Sequence, residues 1–194
     1  MKDKNTSVDQ AGGSHADTGQ TKPGQHRVAE LESVVIRFAG DSGDGMQLTG
    51  PEFSRSVASG GYDFVTHPDY PAEIRAPLGT LYGVSAYQIK YSNNPVFTSG
   101  EALDVLVAMN PAALSTNIEE LKQGGTLVIN TSAFSKANLE KANYSSDPME
   151  DGSLAIYRVI PIDISGQNAT ALKDSGLSRK DISRCKNYYA LGFI

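Results

Sequence analysis

Tryptophan is absent from this 194-residue chain, and cysteine occurs once, at Cys185. A single thiol excludes an intrachain disulfide framework. It also excludes a four-cysteine zinc site or an iron–sulfur cluster held by this chain alone. Such sparing use of cysteine is compatible with a cytoplasmic setting, which is the expected location. No apolar run approaches the roughly twenty residues that span a bilayer. The first residues carry charge from Lys2 onward and lack the apolar core of a secretory signal. There is no basic block, and the formal net charge is −5, which argues against a nucleic-acid surface and against peripheral membrane binding. The three histidines, His15, His26 and His67, are scattered. No metal site is expected from them. Neither a Ser-His-Asp nor a Cys-His arrangement is suggested, and no residue is assigned a catalytic role.

What is present divides into two stretches. Residues 1–32 are almost free of large apolar side chains and mix Gly, Ser, Thr, Gln and both charge signs. That composition cannot repay its own ordering entropy, so a disordered tail is expected there. Residues 33–194 are one ordinary domain, long enough to bury roughly 70% of its unfolded surface without covalent or metal staples.

Within it, Ser33–Ala39 reads as a short buried strand stopped by Gly40. The glycine-dense turn Gly40–Gly45 follows, and a helix is predicted over Met46–Ser59 with Leu48, Phe53, Val57 and Ala58 near one face. Tyr62–Thr66 reads as a second strand. His67–Gly79, with three prolines, is expected to be an irregular and functional or partner-facing loop. Further strands are predicted at Tyr82–Tyr91, Asp104–Met109, Thr126–Asn130 and Leu154–Ile162. Helices are predicted at Ala112–Gln123, ended by Gly124 and Gly125, and at Asn138–Tyr144, Ser165–Leu172 and Ser178–Ile194. The alternation implies an α/β, Rossmann-like fold: a largely parallel sheet flanked by helices. Ligands of such sheets gather beyond the carboxyl ends of the strands. Three segments fall there: Gly40–Gly45, the turn at Asn110, and Asp163–Ser165. The chain stops in mid-pattern at Leu191-Gly192-Phe193-Ile194, which leads us to expect a continuation beyond it.

The strand, the turn Gly-x-Ser-Gly-x-Gly and the following helix resemble a phosphate cradle, where backbone N–H groups approach an anion at a helix's positive end. The spacing departs from the dinucleotide fingerprint: Gly40, Gly43 and Gly45 stand at i, i+3 and i+5, with Ser42 in place of the second glycine. Asp41 and Asp44 would repel a pyrophosphate unless they point away or carry partners of their own. A tight ligand-free turn is the alternative. The second predicted strand shows no acid at its end to hold a ribose, which weakens a nicotinamide-dehydrogenase reading. Arg75 offers a planar fork for phosphate or carboxylate, or a partner for Glu73. Asn110 before Pro111 reads as a helix cap that also faces the ligand end. Cys185 is expected to be a buried apolar residue.

The succession VVIRFAGDSGDGMQLTG, PDYPAEIRAPLGTLYGVSAYQI, DVLVAMNPAAL, EDGSLAIYRVIPID and RCKNYYALGF resembles the amino-terminal region of 2-oxoacid:acceptor oxidoreductase alpha subunits. It is most similar to the 2-oxoglutarate:ferredoxin type. The resemblance covers Ser33–Ile194 and implies a gamma-type domain fused ahead of a thiamine-enzyme domain. It implies a holoenzyme that decarboxylates a 2-oxoacid on thiamine diphosphate with Mg2+. Electrons would pass through an iron–sulfur cluster to ferredoxin, and the acyl group to coenzyme A. Most cofactor ligands would lie on a separate beta subunit. For this domain it implies subunit assembly and closure over the coenzyme A side, with Gly40, Ser42, Gly43, Gly45, Arg75 and Asn110 as candidate contacts. Family members often carry Gly at the position of Ser42 and Gln at that of Asp44, so the turn here has added negative charge. Three readings result: a coenzyme-covering domain, a pure assembly module, and a free-standing nucleotide-binding dehydrogenase.

Overall fold

The computed structural model describes residues 31–71, 83–100 and 102–194. The tail expected over residues 1–32 therefore lies, Leu31 and Glu32 apart, outside the described residues, and so does Arg75.

Among the described residues, six strands form one sheet: β1 (Ser33–Asp41), β2 (Asp63–Asp69), β3 (Val84–Ser92), β4 (Leu103–Ala108), β5 (Leu121–Asn130) and β6 (Arg158–Ile162), in the order β2-β3-β1-β4-β5-β6. The β1–β4, β4–β5 and β5–β6 pairs are parallel. β3 is antiparallel to both β1 and β2, so five strands share one direction and β3 alone is reversed. The helices are α1 (Met46–Ser59), α2 (Pro111–Asn117), α3 (Lys136–Lys141), α4 (Ile164–Ala171), α5 (Arg179–Arg184) and α6 (Lys186–Phe193). The expected α/β sheet with flanking helices is thus what the chain forms.

Alternation along β1 sends Val35 and Ala39 to one face and Ile36 and Phe38 to the other. The first face joins Leu106, Leu127, Ala113, Leu114 and Leu139, beneath α2 and α3. The second joins Met46, Val57, Val107, Ile164 and Ala190, beneath α1, α4 and α6. Burial on both faces explains the near-continuous apolar runs of β4 and β5. Arg37 interrupts β1 on the first face. Its guanidinium donates to both Glu120 oxygens at 2.6 and 2.7 Å, to Gln88 and to Asn117, so the charge is paired where it is buried.

Several boundaries differ from expectation for identifiable reasons. Gly40 and Asp41 continue β1, paired with Ser85 and Val84, and only the residues after them turn. α1 has the expected span, but Leu48 and Ala58 face outward. Thr49, Gly50 and Ser54 are buried instead, because the helix lies so close to β3 that only small side chains fit. A Cβ on Gly50 would stand 2.1 Å from the Tyr87 ring. β2 runs on through His67, Pro68 and Asp69. It is the sheet's edge, where a proline's missing N–H costs no ladder bond. β5 begins at Leu121 and contains Gly124 and Gly125. Gly124, at φ 75°, donates its N–H to the Ile156 carbonyl at 2.8 Å. The helix expected to reach Gln123 ends at Asn117 and tightens into a 3-10 turn over Ile118–Glu120. β6 is confined to Arg158–Ile162, after a run of turns. The expected final helix is two helices broken at Cys185, which is half-buried rather than buried.

Candidate functional site

The chain leaves β1 toward one side of the sheet and enters β4 on the other. The strand order therefore reverses between the carboxyl ends of β1 and β4, a switch point where a crevice opens. Asp41 and Asn110 stand on either side of it. Asn110 donates through Nδ2 to Asp41 Oδ1 at 2.7 Å, while its Oδ1 caps α2 by accepting from Ala113 N–H at 2.8 Å. Both halves of the amide are engaged, so the cap reading and the site-facing placement hold together. A small cavity of about 60 Å³ opens here, lined by Asp41, Asn110, Pro111, Asn138 and Lys141. Beneath it, Asn130 at the end of β5 donates to the Met109 carbonyl and to Ser165 Oγ at 3.2 and 3.3 Å. The three segments expected at the carboxyl ends do converge.

The two carboxylates of the Gly turn carry partners. Asp44 Oδ2 accepts from the Asp41 N–H at 3.1 Å, and Asp44 Oδ1 meets Lys186 Nζ at 2.7 Å in a pair that is largely buried. Asp41 is held above the ordinary carboxylate range. Burial is the main cause and the nearby Asp44 charge the second, opposed by the Asn110 hydrogen bond and by Lys186. The turn thus uses a cation brought from α6, 142 residues further along. That partner has no signal in the local motif.

The glycines of the turn differ in what holds them as glycine. Gly45 caps α1 at φ 76°, and a Cβ there would meet Asn187 Nδ2 at 2.5 Å. Asn187 itself donates to the Gly45 carbonyl at 3.3 Å. Gly40 is closed in by Asp44, 2.8 Å from where its Cβ would be. At Gly43 nothing lies within 4 Å of that position, and its φ is not positive. Packing and backbone geometry therefore account for Gly40 and Gly45 but not for Gly43, the one position of the three that opens outward. Gln47, at the start of α1, ties the turn to β3 and β2 through Ala86 O, Ser85 Oγ and Asp69 O at 2.9–3.0 Å.

An acid does stand at the end of the second strand, because β2 extends to Asp69. With β3 inserted, however, that acid is two strands away from β1 instead of next to it. Beside the turn, on the α6 side, a groove of about 490 Å³ runs between α4, α5 and α6, with Lys173, Arg179 and Lys186 in its walls. Sequence reading did not single out these residues, since their only common feature is their placement in the fold.

Among the described residues, no thiolate set or metal-ligand set fits an iron–sulfur cluster or a metal-bound diphosphate cofactor. Cys185 is the only thiol, and among the described residues no three His, Cys, Asp or Glu side chains are grouped as metal ligands. No helix among them is long and apolar enough to cross a membrane.

These features define an α/β domain with a switch-point crevice and a self-compensated Gly turn. Residues 35–194 match the pyruvate ferredoxin/flavodoxin oxidoreductase family, and the chain belongs to that family. It is 51% identical over 164 residues to the 2-oxoglutarate oxidoreductase subunit KorA of Mycobacterium tuberculosis, covering 84% of this chain and 25% of the relative. Among solved structures it is similar to the 2-oxoglutarate:ferredoxin oxidoreductase of Magnetococcus marinus, solved with 2-oxoglutarate, coenzyme A and succinyl-CoA bound. That match has a TM-score of 0.61 and 26% identity, over 84% of this chain and 24% of that one. It shares a fold with the gamma subunit of a keto/oxoacid ferredoxin oxidoreductase from Geobacter sulfurreducens (TM-score 0.57, 21% identity, 84% of this chain and 74% of that one). The chain spans about a quarter of the length of the first two relatives.

Proposed function

We propose that residues 33–194 act as a gamma-type domain within a cytoplasmic 2-oxoacid:ferredoxin oxidoreductase, with 2-oxoglutarate as the oxoacid. The assembly would form an acyl-CoA and reduce ferredoxin. In this reading the domain carries none of the bond-making groups. Thiamine diphosphate, Mg2+ and the iron–sulfur cluster are held elsewhere in the assembly, mostly by a beta subunit. Likeness to KorA and to the coenzyme A-bound Magnetococcus enzyme supports the reaction class.

The observation that carries the reading is the division among the turn's glycines: Gly40 and Gly45 are required by their surroundings, whereas Gly43 faces open space at the switch point. A glycine there allows a ligand to run along the backbone. The domain would cover the coenzyme A side of the active site, keeping the acceptor thiol positioned and water away from a reactive adduct. Gly40, Ser42, Gly45 and Asn110 shape this surface, and Arg75, outside the described residues, is a further candidate coenzyme contact. Because Lys186, the cation at the turn, is spent on Asp44, the uncharged arm of the coenzyme suits the turn better than the phosphates.

The test is kinetic, in the assembled enzyme. Gly43→Gln and Arg75→Ala should each raise the KM for coenzyme A by roughly tenfold with the subunits still associated and kcat nearly unchanged. A second reading, an assembly module without ligand contact, draws on Leu48 and Tyr70. These are 61% and 67% exposed, on segments tied together by the Gln47–Asp69 bond. Dissociation of the complex with an unchanged KM would establish that reading and reject the first.

A further inference from the structure

A groove between α4, α5 and α6 opens on the described surface outside the switch-point crevice. At about 490 Å³ it lies within the range of small-molecule sites. Its wall has two characters. Lys173, Arg179 and Lys186 place three cations on it, and no carboxylate lines it; Leu177 and Ile182 add an apolar side.

Charge accounting separates the three cations. Lys186 is engaged by Asp44 at 2.7 Å. Lys173 has only Asp174, at 3.9 Å, with both side chains more than two-thirds exposed, a pairing of little energetic value in water. Arg179 makes no ion pair among the described residues. The carboxylate nearest it in the helix, Asp181, is turned to the Ser178 cap and to Arg184. Two cations of the lining therefore remain unspent, while the third joins the groove to the Gly turn. The groove is also preformed. Asn168 of α4, 3% exposed, donates to the Ile182 carbonyl at 2.6 Å and fixes α5 against α4.

We propose that this groove binds the phosphate groups of a nucleotide-type ligand, with Arg179 and Lys173 holding the anion and Leu177 and Ile182 lining the side that takes the base. Arg179 supplies the forked donor suited to phosphate oxygens and Lys173 a mobile point charge. The assignment rests on, and deepens, the coenzyme-covering reading. At the turn Lys186 is already engaged by Asp44, whereas Lys173 and Arg179 of the neighbouring groove are available, and Lys186 marks the border. The same chemistry also suits a free nucleotide, so the test separates the two sources.

The experiment is calorimetric titration of the full chain with adenosine 3′,5′-bisphosphate, the phosphate-rich end of coenzyme A without its arm. The wild type should bind it, and more weakly as salt is raised. Lys173→Gln/Arg179→Gln should lower the affinity roughly tenfold or more with an unchanged melting temperature. Gly43→Gln should leave it unaltered. Competition by coenzyme A identifies the coenzyme as the source. Binding that coenzyme A does not displace assigns the groove to a free nucleotide and leaves the reading of the turn without this support. Equal affinity in wild type and double variant overturns the proposal. So does the absence of wild-type binding at about 1 mM, even if Gly43→Gln still raises the KM for coenzyme A.

Discussion

The Gly turn and the α4–α6 groove sit side by side and share Lys186, yet they manage charge in opposite ways. The turn has the conspicuous sequence and little charge to spare. One of its acids is bound by Lys186 and by a backbone N–H, the other by Asn110. The groove has no motif at all, and its cations Lys173 and Arg179 are left available. A glycine-rich motif thus records mainly how a strand is joined to a helix. The capacity to hold an anion is set by charges that folding brings together from separate helices.

The contrast can be broken most forcefully at the turn's foundations. Gly50→Val would drive a side chain into the Tyr87 ring and should cost about 3 kcal/mol, read by chemical denaturation. Removing the shared cation is next. Lys186→Met strands Asp44 in its largely buried position and should cost about 2–3 kcal/mol, reduced from the value for a fully buried pair by the residual exposure of the lysine. Gly45→Ala forces a side chain onto a left-handed backbone and against Asn187, for about 2 kcal/mol.

A smaller effect, of opposite sign, is expected at Asp41. Its folded-state pKa is raised, so the folded protein takes up a proton more readily than the unfolded chain. Stability then falls as pH rises from the ordinary carboxylate value through the raised one, and the penalty is complete above it. Asp41→Asn keeps the oxygen that accepts from Asn110 and removes this penalty. Its melting temperature should exceed wild type at neutral pH and coincide with it below the carboxylate range. Gly43→Ala should change stability least, by less than about 0.5 kcal/mol, because its Cβ meets nothing.

Much of the fold was legible because patterns of adjacent residues determine it. α1 has its expected limits, the Asn110-Pro111 cap is formed, and β1, β4 and the end of β5 lie where β-branched runs place them. What escaped depends on partners distant in sequence. Pro68 is tolerated in β2 because that strand is an edge, and Gly124 belongs to β5 because its N–H finds Ile156. Leu48 faces outward because Tyr87 leaves room only for Gly50. At the site, the convergence of the Gly turn with Asn110 and Asp163–Ser165 could be read from strand order. The partner of Asp44 could not, since Lys186 enters from the final helix. The groove was illegible for the same reason.

Calorimetric titration of adenosine 3′,5′-bisphosphate into two variants, Lys173→Gln/Arg179→Gln and Gly43→Gln, tests the division of labour most directly. The account predicts roughly tenfold or greater loss of affinity in the first and wild-type affinity in the second. Loss in Gly43→Gln with full affinity in the charge variant would contradict it, and would return the phosphates to the turn.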